Sequence, residues 1–183
     1  MALGLDAVTT SGGTGSSITW AHVVTGATNV LFVIISRWRN AQTVSGVTYA
    51  GVALTNVGTS AASANDDEVS IWRLIAPATG SNNIVVTFGG ACDAGPWAVS
   101  VTGADQTDPD GTFASGTGSS TAPSVTVSSA TDRWVIDGVA YDDATGGALT
   151  MTADAGRTQR LNALNGGERC GGSEDQSSAA SEV

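Results

Sequence analysis

The stretch VLFVIISRW, residues 30–38, decides how the chain is read. Val30 to Ile35 is the longest apolar run, and most of it is β-branched. It is far too short to cross a bilayer. Its composition and length suit a strand, and six apolar residues without alternation point to burial on both faces.

The pattern around it is of the same kind. SSITWAHVV (16–24) reads as a strand closed by the turn TGATN (25–29). TVSGVTYAGVALTNVGTSA (43–61) reads as two short strands about the turn Tyr49-Ala50-Gly51-Val52. DDEVSIWRLIAP (66–77) is a strand that Pro77 stops, because proline cannot donate to a ladder. IVVTFGG (84–90) and PWAVSVTGA (96–104) follow, the latter with Trp97, Val99 and Val101 on one face by the period of two. GTFASGTGSSTAP (111–123) reads as a loop or edge segment. SVTVSS, RWVIDGVAY, ALTMTAD and RTQRLNAL complete about ten short strands at the spacing of a β-sandwich. The N-terminal GGTGSS (12–17) reads as a flexible loop; it has the glycines of a phosphate loop without the lysine.

Composition agrees. Of 183 residues, 41% are hydrophobic and 13% charged, with 24 glycines, which suits short strands and tight turns better than a helix bundle. The net charge is −10, and all seven cations are arginines. Such a surface repels a polyanion, which argues against direct nucleic-acid binding. The N-terminus lacks the charged and apolar regions of a secretion signal, so synthesis in the cytoplasm of a host cell is expected, with no membrane segment. The two cysteines, Cys92 and Cys170, are read as unpaired thiols.

Chemistry is sparse. His22 is the single histidine, so a Ser-His-Asp arrangement would have no other base, and no G-x-S-x-G elbow accompanies it. Zinc would have to use His22, Cys92 and Cys170, which lack the close spacing of a zinc motif. Carboxylates cluster better: Asp66, Asp67 and Glu68; Asp142 and Asp143; and GADQTDPDG (103–111), with Asp105, Asp108 and Asp110. These last three are candidate calcium ligands, although they lack the spacing and closing glutamate of an EF-hand. The simpler reading is a turn over 108–111, with Gly111 at positive φ and Asp105 capping the strand end. The five tryptophans are assigned to core packing. No catalytic residue and no cofactor are assigned.

Four stretches, SGVTYAGVALTNVGT (45–59), VSIWRLIAPATGSNNIVVTFGG (69–90), AVSVTGADQTDPDGT (98–112) and STAPSVTVSSATDRWVIDGVAY (120–141), together resemble a β-sandwich domain of tailed-bacteriophage virion proteins. The resemblance covers roughly residues 15–165 and rests on Tyr49 to Val52, on Trp72 followed by Pro77 and Gly80, and on Gly103 to Gly111. It implies an all-β fold: one antiparallel, jelly-roll-like sandwich of about 8–10 short strands over 1–165. Residues 166–183, acidic and rich in Gly and Ser, are expected to form an extended C-terminal arm. Ordering that arm would cost roughly 1–2 kcal/mol per residue, so a neighbouring surface should offset it. The implied function is non-enzymatic: a capsid decoration (cement) protein on the virion surface that binds the major capsid protein and stabilises the head, as a homo-oligomer guessed to be a trimer. A tail or fibre module that binds host-surface glycan, with calcium, is the alternative. A glycoside hydrolase-like sandwich is the second.

Overall fold

The structure, a computed structural model, describes residues 3–38, 42–63, 66–120, 122–130, 133–142, 152–153, 157–165, 168–177 and 181–182. Among these are fourteen strands and no helix. In order they are β1 (Gly4–Thr10), β2 (Gly13–Val24), β3 (Val30–Trp38), β4 (Val44–Tyr49), β5 (Val52–Ala53), β6 (Thr55–Thr59), β7 (Glu68–Ile75), β8 (Gly80–Thr102), β9 (Val127–Ser128), β10 (Arg133–Ile136), β11 (Val139–Asp142), β12 (Thr158–Asn165), β13 (Glu168–Ser177) and β14 (Ser181–Glu182). Every pairing is antiparallel.

β8 organises the molecule. Its first half is flanked by β2 and β4, and its second half by β1 and β3. β1 and β2 are therefore two pieces of one line along β8, joined in register by the bond from the Ser11 amide to the Pro96 carbonyl. Pro96 contributes no donor to this central strand, and it falls where the β1–β2 line breaks.

β8 cannot be straight. His22 lies opposite Asn82, yet its ring meets Ser100 at 3.1 Å. Eighteen residues of extended strand would separate Asn82 and Ser100 by about 60 Å. The strand must fold back between its halves, where Gly89 and Gly90 lie, so that its two halves face each other. Between them lies one core, with Ile18 and Val24 from β2, Ile84, Val86 and Phe88 from the first half of β8, Val47 and Tyr49 from β4, and Leu31, Val33 and Ile35 from β3.

The far side closes by a continuous chain. β5 pairs with β4, and β6, one residue further on, pairs with β7. The result is a nearly closed, barrel-like sheet. The hairpin that starts this crossing turns at Ala50 and Gly51, both at positive φ (51° and 79°), as a two-residue type I′ connection requires.

A second sheet, in the order β10-β13-β11 with β12 also on β13, lies against the outer face of this barrel. Ile136 and Leu161 join Ile34, Trp38, Trp97 and Val99 there. The two sheets meet so closely at Gly138 that an added Cβ would lie 2.5 Å from the Ile34 side chain. β3 is thus covered on both faces: of its nine residues only Phe32 is not fully buried.

Several expectations shift. Gly13 to Ser17, read as a loop, belong to β2, and β1 precedes it. IVVTFGG and PWAVSVTGA are one strand of 23 residues. Residues 168–177, placed by composition in an extended arm, form β13, which pairs with β10, β11 and β12 of the same chain. ALTMTAD falls mostly outside the described residues.

Candidate functional site

Among the described residues, β1 and β2 of the barrel adjoin without a backbone ladder between them. Folding β8 brings these two edges together, and side chains join them. The Trp20 indole donates to Thr9 Oγ1 at 3.0 Å, and Thr9 Oγ1 lies 2.8 Å from His22 Nδ1. His22 Nε2 is 3.1 Å from Ser100 Oγ, and Ser100 Oγ donates to Asp6 Oδ2 at 2.7 Å. Asp6 also accepts the Thr25 amide at 3.0 Å and the Thr25 hydroxyl.

The direction of every bond follows from the carboxylate. Asp6 only accepts, so Ser100 gives it its hydrogen and must accept from Nε2–H. That leaves Nδ1 bare to accept from Thr9, whose oxygen then accepts from Trp20. The ring is the neutral Nε2–H tautomer. Burial pushes the His22 pKa below its ordinary value, and the Asp6 charge only partly opposes this. Burial works against the charge of Asp6, but the Thr25 and Ser100 donors outweigh it and hold the carboxyl below its usual range. Tyr49 stands edge-on to the ring at 6.3 Å and bonds the His22 carbonyl at 3.3 Å.

This constellation holds a serine, a histidine and an aspartate, but Ser100 does not stand where the nucleophile of a Ser-His-Asp triad stands. The base should lie between nucleophile and carboxylate. Here the hydroxyl lies between imidazole and carboxylate and gives its proton to the latter. His22 and Ser100 are both fully buried. The arrangement can hold two strand edges together. Sequence reading passed over Asp6, Thr9 and Ser100, which sit in alternating strands with no motif; only the fold-back of β8 makes them neighbours.

The expected calcium ligands are distributed differently. Asp105 Oδ1 accepts the Thr107 amide at 2.7 Å and the Asp108 amide at 3.3 Å, and these bonds hold its carboxyl below the usual range. Asp105 was expected to cap the strand end; its bonds instead close a turn over 105–108, beyond the end of β8 at Thr102. Asp108 is exposed, and Asp110 pairs with Arg73. Among the described residues no three His, Cys, Asp or Glu side chains gather as a metal site. The Asp105 bonds place the turn at 105–108, and Gly111, expected at positive φ, does not have it.

The other acids have structural partners. Glu68 grips the buried Arg37 with two bonds of 2.8 and 3.1 Å, and Arg37 also donates to the Asp66 carbonyl at 3.0 Å. Asp67 bonds Ser63 at 2.9 Å. Asp143 lies outside the described residues. Cys92 is a free, buried thiol whose pKa is pushed up to about 11, chiefly by burial, with Arg37 opposing and Asp93 adding.

A groove of about 1900 Å³ runs beneath the irregular segment 103–126. Phe32 and Ile71 from the barrel line it, with Trp134 and Tyr141 from the second sheet and Asp108 from the segment. Phe113 anchors the segment by lying flat on Gly58, where an added Cβ would be 2.4 Å from its ring. Trp38 and Trp97 are fully buried, and Trp20 and Trp72 pack on the inner core. Comparison with family models, curated proteins and solved structures finds no match.

Proposed function

We propose that the protein is a non-enzymatic structural component of a bacteriophage virion, a decoration protein that binds the major capsid protein and stabilises the head. The observation that carries the scaffold part is the polar chain from Trp20 to Asp6, buried at His22 and Ser100, in which the single histidine serves to join two strand edges. The virion part is supported by the resemblance of the turn at Tyr49 to Val52, of Trp72 with Pro77 and Gly80, and of the strand exit at Gly103. In this reading the two halves of the folded sheet correspond to the faces of a jelly-roll-like sandwich, and the protein works as a trimer. Incubating the purified protein with capsids that lack their decoration protein tests the reading. Saturable binding that raises capsid heat resistance supports it; a strictly monomeric protein that leaves the capsids bare sinks it.

The groove favours a second reading, a tail or fibre module for host-surface glycan. Trp134, Tyr141 and Asp108 are all among its lining, and rings and carboxylates are the groups that sugars use. A glycan array with and without chelator separates the two, since the decoration reading predicts no glycan signal in either condition.

A further inference from the structure

We propose that the β1–β2 seam is a pH-operated latch, in which protonation of His22 parts β1 from β2 while the rest of the barrel holds. The inference rests on the seam's geometry and is independent of the decoration reading.

Three observations carry it. The seam is joined by side chains where the rest of the barrel is joined by backbone ladders, so its closure depends on the five bonds running from Trp20 to Thr25. Both ring nitrogens of His22 are engaged, and the hydrogen-bond directions favour the neutral ring. A proton on Nδ1 would put two donors, the imidazolium and the Trp20 indole, on Thr9 Oγ1 and leave the Thr9 hydroxyl hydrogen without its acceptor. The new charge would also sit at a fully enclosed position.

The groups around the ring do not relieve this. From β1 it faces Asp6, with Ser100 of β8 interposed; from β4 it faces the Tyr49 ring edge; its other neighbours, Thr9 and Trp20, are uncharged. Asp6 is the charged group acting on the ring, and it is held off the ring by Ser100 while it accepts from Ser100 and Thr25. Opening lets water reach the imidazolium. Opening and protonation are then coupled through one proton, so below the ordinary histidine pKa the opening equilibrium rises about tenfold per pH unit until the closed form itself protonates.

A single histidine makes the test direct. The full chain, labelled at the imidazole nitrogens, is titrated from pH 8 to 5 by NMR, and amide exchange is followed over the same range. The expected result is a ring held as the neutral Nε2–H tautomer through pH 6.5. Below that, protection of the Trp20 indole N–H and the Thr25 amide, the two N–H groups whose bonds cross the seam, falls about tenfold per pH unit, while the ladder amides of 30–38 and 96–102 stay protected over the same exposure times. His22→Gln, which does not titrate, should abolish that pH dependence. A ring that titrates with an ordinary histidine pKa, or loss of protection at the two seam N–H groups and the ladder amides together, overturns the proposal, and both are read on the unmodified protein even if the variant fails to fold.

Discussion

At Ser100 the account is most exposed. Its hydroxyl is the one group that touches both His22 and Asp6. Ser100→Ala would leave a buried Nε2–H without an acceptor and remove a donor from the carboxylate. The expected loss is about 1–3 kcal/mol in a urea titration, far more than deletion of a surface hydroxyl. Ala50 offers the opposite sign. It occupies the left-handed region with φ 51°, a conformation that Gly adopts freely. Ala50→Gly should therefore raise the unfolding free energy by roughly 0.5–1 kcal/mol, measured in the same titration. The Ala50-Gly51 turn was legible because it depends on four adjacent residues. The His22 chain was not, because Asp6, Thr9 and Ser100 carry no local signal.

Among the elements, β3 was read most fully from its residues. Unbroken apolar residues without alternation pointed to two covered faces, and the strand has the inner core on one side and the second sheet on the other. Ile34 and Ile35 point opposite ways and are both fully buried. Ile34→Ala and Ile35→Ala should each cost about 2–5 kcal/mol by chemical denaturation. A strand with one wet face would lose that much at only one of them. β8 was read least well. Gly89-Gly90 and Pro96 looked like stops between two short strands, and they became the bend and the break within one long strand. A glycine pair interrupts a pattern whether the chain ends a strand there or folds it. β13 was hidden for a related reason: few of its residues are apolar, and its place comes from pairing with neighbours on both sides.

For the whole molecule, the titrating groups of the seam set the direction of pH dependence. His22 has a depressed pKa in the folded state, so as pH falls below 6.5 the unfolded chain takes its proton first. Stability is then complete above that value and declines on acidification. Asp6, lowered from 3.8, adds a second loss at more acid pH, in the same direction. Melting temperatures by calorimetry should be level from pH 8 to 7 and fall between 6.5 and 5, before the bulk of the carboxylates titrate. A rise across that window would show that relief of the −10 net charge outweighs the seam.

The seam, its pH dependence and the inner core all require that β8 fold back on itself. Spin labels at Ser81 and Thr102, near the two ends of the strand, measure this directly by pulsed electron resonance. The account predicts a separation of roughly 30 Å or less, because the ring opposite Asn82 touches Ser100. A straight strand would place the labels about 70 Å apart, and a distance near that value would contradict the barrel and the site within it.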